Sequence, residues 1–234
     1  MVKIKDKSSL IELKKYFSDK EMFEQALTHR SWVNENPGIR QSNERLEFLG
    51  DAVLEFVVSD YLFKRLKNRE EGFLTALRAN IVNTKNLSEL AKMGSFGDFL
   101  HFSKGEKISG GSSNPALLAN AVEAIIGALY LDKGLEAAEK FIVDNLLGDL
   151  EKKLKQPLKD SKSLFQEKVQ SMGFDTPKYK VLSESGPDHA KRFKVEVTVN
   201  GKAVAQGQGK SKNEAEQDAA RNALNTNFPA QPCV

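Results

Sequence analysis

The chain has 234 residues, enough for one large domain or two small ones, with the 40% hydrophobic and 29% charged content of an ordinary globular protein. A formal net charge of +3 and a pI ≈ 8.8 permit a nucleic-acid partner without requiring one. The single cysteine, Cys233, excludes an intrachain disulfide and a cysteine-built zinc site and fits a reducing cytoplasm.

Residues 1–7 lack the apolar core of a signal peptide. Residues 8–28 carry apolar clusters at helical spacing, with Leu10, Leu13, Tyr16 and Phe17 expected to face a core. A polar loop with Pro37-Gly38 leads into an apolar helix running from about Asn43 to Leu66. The spacing predicts two more helices, Leu74–Val82 and Leu87–Met93, then a Gly- and Ser-rich loop over 94–114. Pro115 suits a helix start. The helix that follows is apolar almost all round and should be central. Asn120 and Glu123 interrupt it, so it reads as too polar to span a membrane. One more amphipathic helix is expected over Leu135–Lys153. Nothing up to residue 155 alternates like a strand.

The pattern then changes. Residues 155–160 read as a linker. Ser163–Met172 is helical, Tyr179–Leu182 alternates weakly, and Phe193, Val195, Val197 and Val199 alternate strictly with polar residues. Asn200-Gly201 predicts a two-residue hairpin turn, with Lys202–Gly209 as the return strand. Ser211 and Glu214 form a capping-box pattern before a last helix to about Leu224. The reading is therefore an all-α domain over 6–154 and a small α+β domain, helix–three strands–helix, over 161–226. Residues 227–234 are expected to be a disordered tail.

Residues 43–54 read Asn-Glu-Arg-Leu-Glu-Phe-Leu-Gly-Asp-Ala-Val-Leu. Glu44, Glu47 and Asp51 fall on one stripe of this helix, and Leu46, Leu49, Val53 and Leu54 on another. Such an acidic strip is either a solvated face or a charge concentration that needs a cation. Asn120 and Glu123 share one face of the central helix. If the two helices pack together, Glu47, Asp51, Asn120 and Glu123 converge. An oxygen-only donor set suits Mg²⁺, the usual ion for hydrolysing a phosphodiester. His29 and His101 are expected to be capping or surface groups rather than bases.

The stretch 43–54 closely resembles the signature of the ribonuclease III family. Ala26-Leu-Thr-His-Arg-Ser31, Glu71-Gly-Phe-Leu74, Gly110-Gly111 and Leu117-Leu-Ala-Asn-Ala-Val-Glu-Ala124 resemble the family in the same order, and the C-terminal part resembles its double-stranded RNA-binding domain. The resemblance covers about residues 8–225. It implies a Mg²⁺-dependent endoribonuclease, with Mn²⁺ able to substitute and no small-molecule cofactor. Such an enzyme is a cytoplasmic homodimer, away from membranes, that cuts double-stranded RNA to 5′-phosphate products with short 3′ overhangs. Its work would be processing of ribosomal and other RNAs. By the same resemblance, Glu47, Asn120 and Glu123 hold the metal, Asp51 and Glu123 orient and activate water, and Glu44 supports the site. Phe48 would insert into the other subunit. Gln166, beside Glu167, and His189 would read minor grooves and 2′-hydroxyls, and Lys210 and Lys212 would meet phosphates.

Two departures matter. The family pattern has aspartate where this chain has Asn120. An amide oxygen still ligates but brings no charge, so lower activity is expected. A catalytically impaired binder of double-stranded RNA, and a scaffold that kept the fold, are the alternatives. Ser112 stands where an arginine is expected after Gly110-Gly111, with Lys104 and Lys107 as the nearby compensation.

Overall fold

The computed structural model describes residues 2–148, 150–154, 160–187 and 191–226. The chain divides into two units, Met1–Gln156 and Pro157–Val234. The expected linker (Asp160 aside), the expected tail at 227–234, and His189 lie outside the described residues.

In the first unit the apolar run over 8–28 makes two helices, α1 (Lys7–Tyr16) and α2 (Lys20–Ala26). Asp6 and Ser9 close a capping box on α1, and the Asp19 carboxylate caps α2. The break between them is held from outside. The Asp132 carboxylate accepts the Ser18 and Asp19 backbone N–H groups at 2.8 and 3.0 Å. Leu10, Leu13 and Phe17 are buried, but Tyr16 is exposed, with the Lys133 ammonium over its ring. Next come α3 (Arg30–Glu35), α4 (Glu44–Arg65), α5 (Glu71–Ile81) and α6 (Thr84–Met93).

The stretch expected as a loop over 94–114 contains two short helices, α7 (Phe96–Phe99) and α8 (Lys104–Ile108), and a 3-10 turn at Gly111–Ser113. Tertiary bonds order it. The His101 backbone N–H donates to Leu27 O at 2.9 Å and His101 O accepts from the His29 N–H at 3.0 Å. The helix predicted from Pro115 is α9 (Pro115–Lys133), with proline in its first turn and the Asn114 side chain as cap. The single helix expected over 135–153 is interrupted. It forms α10 (Leu135–Ile142), a wide π-helical turn at Val143–Leu147, and α11 (Leu150–Leu154). Asn145 gives the reason: its amide donates to Phe141 O at 2.8 Å and its oxygen accepts the Ile4 backbone N–H at 2.7 Å.

Helix α9 is the centre of this unit, with Leu118, Val122, Ile125, Ile126 and Leu129 all buried. By length and composition it could cross a membrane, and its packing inside the unit accounts for that apolarity. It lies against α4 in near backbone contact. A Cβ on Gly50 would fall 1.8 Å from the Glu123 carbonyl oxygen, and one on Gly127 would fall 2.2 Å from the Leu46 carbonyl oxygen. Only glycine allows this approach, which sets α4 and α9 side by side at the level of Glu47 and Glu123. Gly50→Ala is expected to destabilise the protein by about 3 kcal/mol or more, because backbone must move rather than a side chain. Urea denaturation checks this, and a loss below about 1 kcal/mol would contradict the contact.

The second unit runs α12 (Ser161–Ser171), β1 (Lys178–Ser185), β2 (Arg192–Val199), β3 (Lys202–Gly209), α13 (Lys212–Asn225). The strands form an antiparallel sheet in the order β1-β2-β3. Asn200 and Gly201 take φ of 47° and 77°, as the predicted hairpin turn requires. The strict alternation in β2 turns Val195, Val197 and Val199 inward, onto Phe165 and Val169 of α12 and Ala215, Ala219, Ala220 and Ala223 of α13. Ser211 Oγ accepts the Glu214 N–H at 3.1 Å, capping α13, while the Glu214 carboxylate accepts the Lys210 N–H at 2.7 Å.

Candidate active site

Glu44, Glu47, Phe48 and Asp51 of α4 and Asn120 and Glu123 of α9 line one cavity of about 680 Å³ in the first unit. The Gly50–Gly127 contact explains why two helices can present polar side chains to one another there. Apolar side chains of ordinary size would hold the axes further apart.

The charge in this cavity is concentrated. Burial pushes the Glu123 carboxyl up to about 7, and the negative charges of Asp51 and Glu47 add to the effect. Burial also raises Glu47, with Glu44 and Asp51 contributing, although a hydrogen bond from the Asn120 amide works in the opposite direction. Asn120 therefore partly satisfies Glu47, where an aspartate would repel it. Glu44 is engaged elsewhere: its carboxylate accepts from Ser42 Oγ at 2.9 Å and pairs with Arg30 Nη1 at 3.4 Å. Phe48 is 81% exposed at the cavity.

Among the described residues, no group of three or more His, Cys, Asp or Glu side chains stands close enough to form a metal cage. The fit to a cation rests instead on donor chemistry and electrostatics. Three carboxylates and an amide oxygen make a hard, oxygen-only set, and two of the carboxyls are raised by burial and like charge. A cation is the counter-charge such a cluster favours. The helices that carry these side chains are already in contact.

The cavity also includes residues that were not singled out from the sequence as site residues: His29, Arg30 and Asn43. His29 is a cap, as expected: its Nδ1 accepts the Ser31 N–H at the start of α3. His101 lies outside the cavity lining, 2.9 Å from the Glu24 carboxylate. Burial would raise Glu24, but hydrogen bonds and charge from Lys14 and His101 hold it below its usual value. Asn43 is 4% exposed. Its backbone N–H donates to Thr28 O at 2.8 Å, and its amide donates to Ala26 O at 3.3 Å. These bonds tie the start of α4 to the Ala26–Thr28 segment. Periodicity could not reveal this, although both stretches carry family-like runs. Lys104 and Lys107, considered as compensation for Ser112, do not line the cavity.

In the second unit Gln166 and Glu167 are exposed on α12, and Lys210 and Lys212 are exposed at the start of α13. Neither lysine forms an ion pair among the described residues.

The chain thus carries a helical unit with a carboxylate-lined cavity, followed by a helix–three strands–helix unit. The comparisons name its kind. Residues 19–150 match the Ribonuclease-III-like family and residues 161–227 match the double-stranded RNA binding motif. The chain is 46% identical to Ribonuclease 3 of Caldanaerobacter subterraneus subsp. tengcongensis over 209 residues, covering 89% of this chain and 92% of that protein. It is 43% identical to Ribonuclease 3 of Streptococcus pyogenes over 209 residues, covering 89% and 91%. It is also similar to a crystal structure of the nuclease domain of ribonuclease III from Campylobacter jejuni. There the identity is 42% and the TM-score 0.53, over 63% of this chain and 95% of that one. The chain belongs to the ribonuclease III family and is an endoribonuclease of double-stranded RNA.

Proposed function

We propose that this chain hydrolyses double-stranded RNA with Mg²⁺, leaving 5′-phosphate and 3′-hydroxyl ends with short 3′ overhangs. It acts as a homodimer in the cytoplasm, processing ribosomal and other structured RNAs. The supporting observation is the cavity in which burial and two neighbouring carboxylates drive Glu123 up to about 7. A Mg²⁺ ion held there would neutralise charge on the phosphate and acidify a bound water. Glu47, Asn120 and Glu123 are the residues to hold it. Asp51 and Glu123 orient the attacking water. Glu44 supports the rim through Arg30 and Ser42. No observation favours a non-catalytic binder over the enzyme.

A homodimer is supported by aromatic exposure along α4. Phe48, Phe56 and Phe63 are 81%, 57% and 72% exposed. They fall within about 80° around the helix at 100° per residue. A structure of the ribonuclease III nuclease domain from Campylobacter jejuni, 40% identical with a TM-score of 0.52 over 58% of this chain and 97% of that one, concerns a region involved in dimer formation.

Duplex binding by the second unit is assigned to Gln166 on α12 and to Lys210 and Lys212 at the start of α13, with His189 kept from the family resemblance. Replacing both lysines with alanine is expected to weaken duplex binding and to lower the slope of log K against log salt by about 1.8, at about 0.9 per phosphate contact. An unchanged slope in a filter-binding titration would reject the assignment.

The enzyme reading is tested with a long RNA duplex, with and without Mg²⁺. Mg²⁺-dependent cuts with 5′-phosphate ends are expected. Tight duplex binding without cleavage in Mg²⁺ or Mn²⁺ would overturn the reading.

A further inference from the structure

The cavity wall carries a rigidly held hydrogen-bond donor that neither the carboxylate cluster nor the fold uses. His29 lines the same cavity as Glu47 and Glu123. Its Nδ1 is committed, accepting the Ser31 backbone N–H at 3.2 Å and lying 2.8 Å from Ser31 Oγ. Because Nδ1 already accepts the Ser31 N–H, the proton between it and Ser31 Oγ belongs to the hydroxyl, whose oxygen also accepts the Ser103 backbone N–H at 3.1 Å. With two donors on Nδ1, the ring carries its proton on Nε2. The ring is held in place as well. The His29 backbone N–H bonds His101 O at 3.0 Å, and the Phe102 ring lies 5.3 Å away between centroids. Nε2 has no hydrogen-bond partner among the described residues. Unlike Arg40 Nε and the Tyr179 hydroxyl, it is not a buried atom sealed from solvent. Glu44, the cavity carboxylate nearest in sequence, is taken up by Arg30 and Ser42.

We propose that His29 touches the substrate, its Nε2–H donating to a phosphate oxygen of the RNA strand that enters the cavity. This rests on reading the cavity as the cleavage site. The imidazole supplies one aimed hydrogen bond that fixes where the strand lies, next to the phosphate being cut. Ser31 and Ser103 act through it as positioning residues.

Two substitutions separate this role from capping. His29→Asn keeps a good cap acceptor for the Ser31 N–H and removes the Nε2 donor. His29→Gln keeps an amide N–H near the Nε2 position and gives up the cap. With the full chain at saturating Mg²⁺, His29→Asn is expected to keep its Tm and to lose about tenfold in kcat/KM for a long duplex, the worth of about one hydrogen bond. His29→Gln is expected to lose Tm yet retain more kcat/KM than His29→Asn. Full kcat/KM in His29→Asn, or rate losses that merely follow the Tm losses in both variants, would overturn the proposal. Duplexes bearing single methylphosphonates near the cut add a second readout. At one position the unsubstituted chain should slow while His29→Asn slows no further. Equal slowing of both proteins at every position would overturn the contact. If the unsubstituted chain cuts no duplex, the cleavage reading fails separately. His29 is then judged by duplex affinity in Ca²⁺, where a loss of about threefold or more in His29→Asn supports the contact and unchanged affinity overturns it.

Discussion

Replacing Asn120 by aspartate is expected to raise the rate of duplex cleavage about tenfold or more at limiting Mg²⁺, with the gain shrinking at high Mg²⁺ or with Mn²⁺. In the present chain the Asn120 amide works against the rise of the Glu47 carboxyl. An aspartate would turn that donor into a fourth negative charge facing Glu47, Asp51 and Glu123. At an effective dielectric of about 20, a unit charge about 4 Å away is worth about 4 kcal/mol before solvent relaxation. The cation-free protein should therefore become less stable and the cation-bound protein more so. The increase in Tm on adding Mg²⁺ should be larger in Asn120→Asp than in the unsubstituted chain. Equal rates in limiting Mg²⁺, with equal Tm gains, would remove Asn120 from the ion's surroundings.

The second large effect is at Glu123. Glu123→Gln is expected to lower cleavage on the order of 10³-fold while leaving duplex affinity within a few fold, because it removes both an ion ligand and a charge developed against the reacting phosphate. A pH signature accompanies it. The folded-state carboxyl lies at about 7 against an ordinary 4.5, so folding favours its protonated form. Its stabilising effect is complete below the unfolded value of 4.5 and is lost as pH rises through about 7. Glu47, also raised, acts with the same sign. Without a divalent ion the Tm should thus fall between pH 4.5 and 7, and Mg²⁺ should restore it increasingly as pH rises. Glu123→Gln should flatten both trends. A variant that cuts normally, or that keeps the full Mg²⁺ and pH dependence, would displace Glu123 from the centre of the site.

What could be read from residue order was what is written locally. The acidic stripe of α4, the all-round apolar α9 and the strict alternation of β2 each follow from one dominant period, and Asn200-Gly201 names its own turn. The missed features depend on partners far along the chain. The helix expected over 135–153 opens at Asn145 because that side chain bonds residues 2 and 4. The loop expected over 94–114 gains helical turns because His101 is stitched to Leu27 and His29. Tyr16 fits an inward period and yet faces out. His29 gave little signal beyond its place in a family-like run, since its ring is fixed by Ser103, 72 positions from Ser31 in sequence.

The Gly50–Gly127 approach has a bearing on how such a sequence can drift. The spacing of the acidic donors is set by main chain against main chain, not by the size of core side chains. Exchanges such as leucine for methionine elsewhere around α9 can alter heat tolerance while leaving the catalytic distances as they are. Adaptation to a new temperature and retention of cutting power are therefore separable in this architecture, provided those two glycines stay.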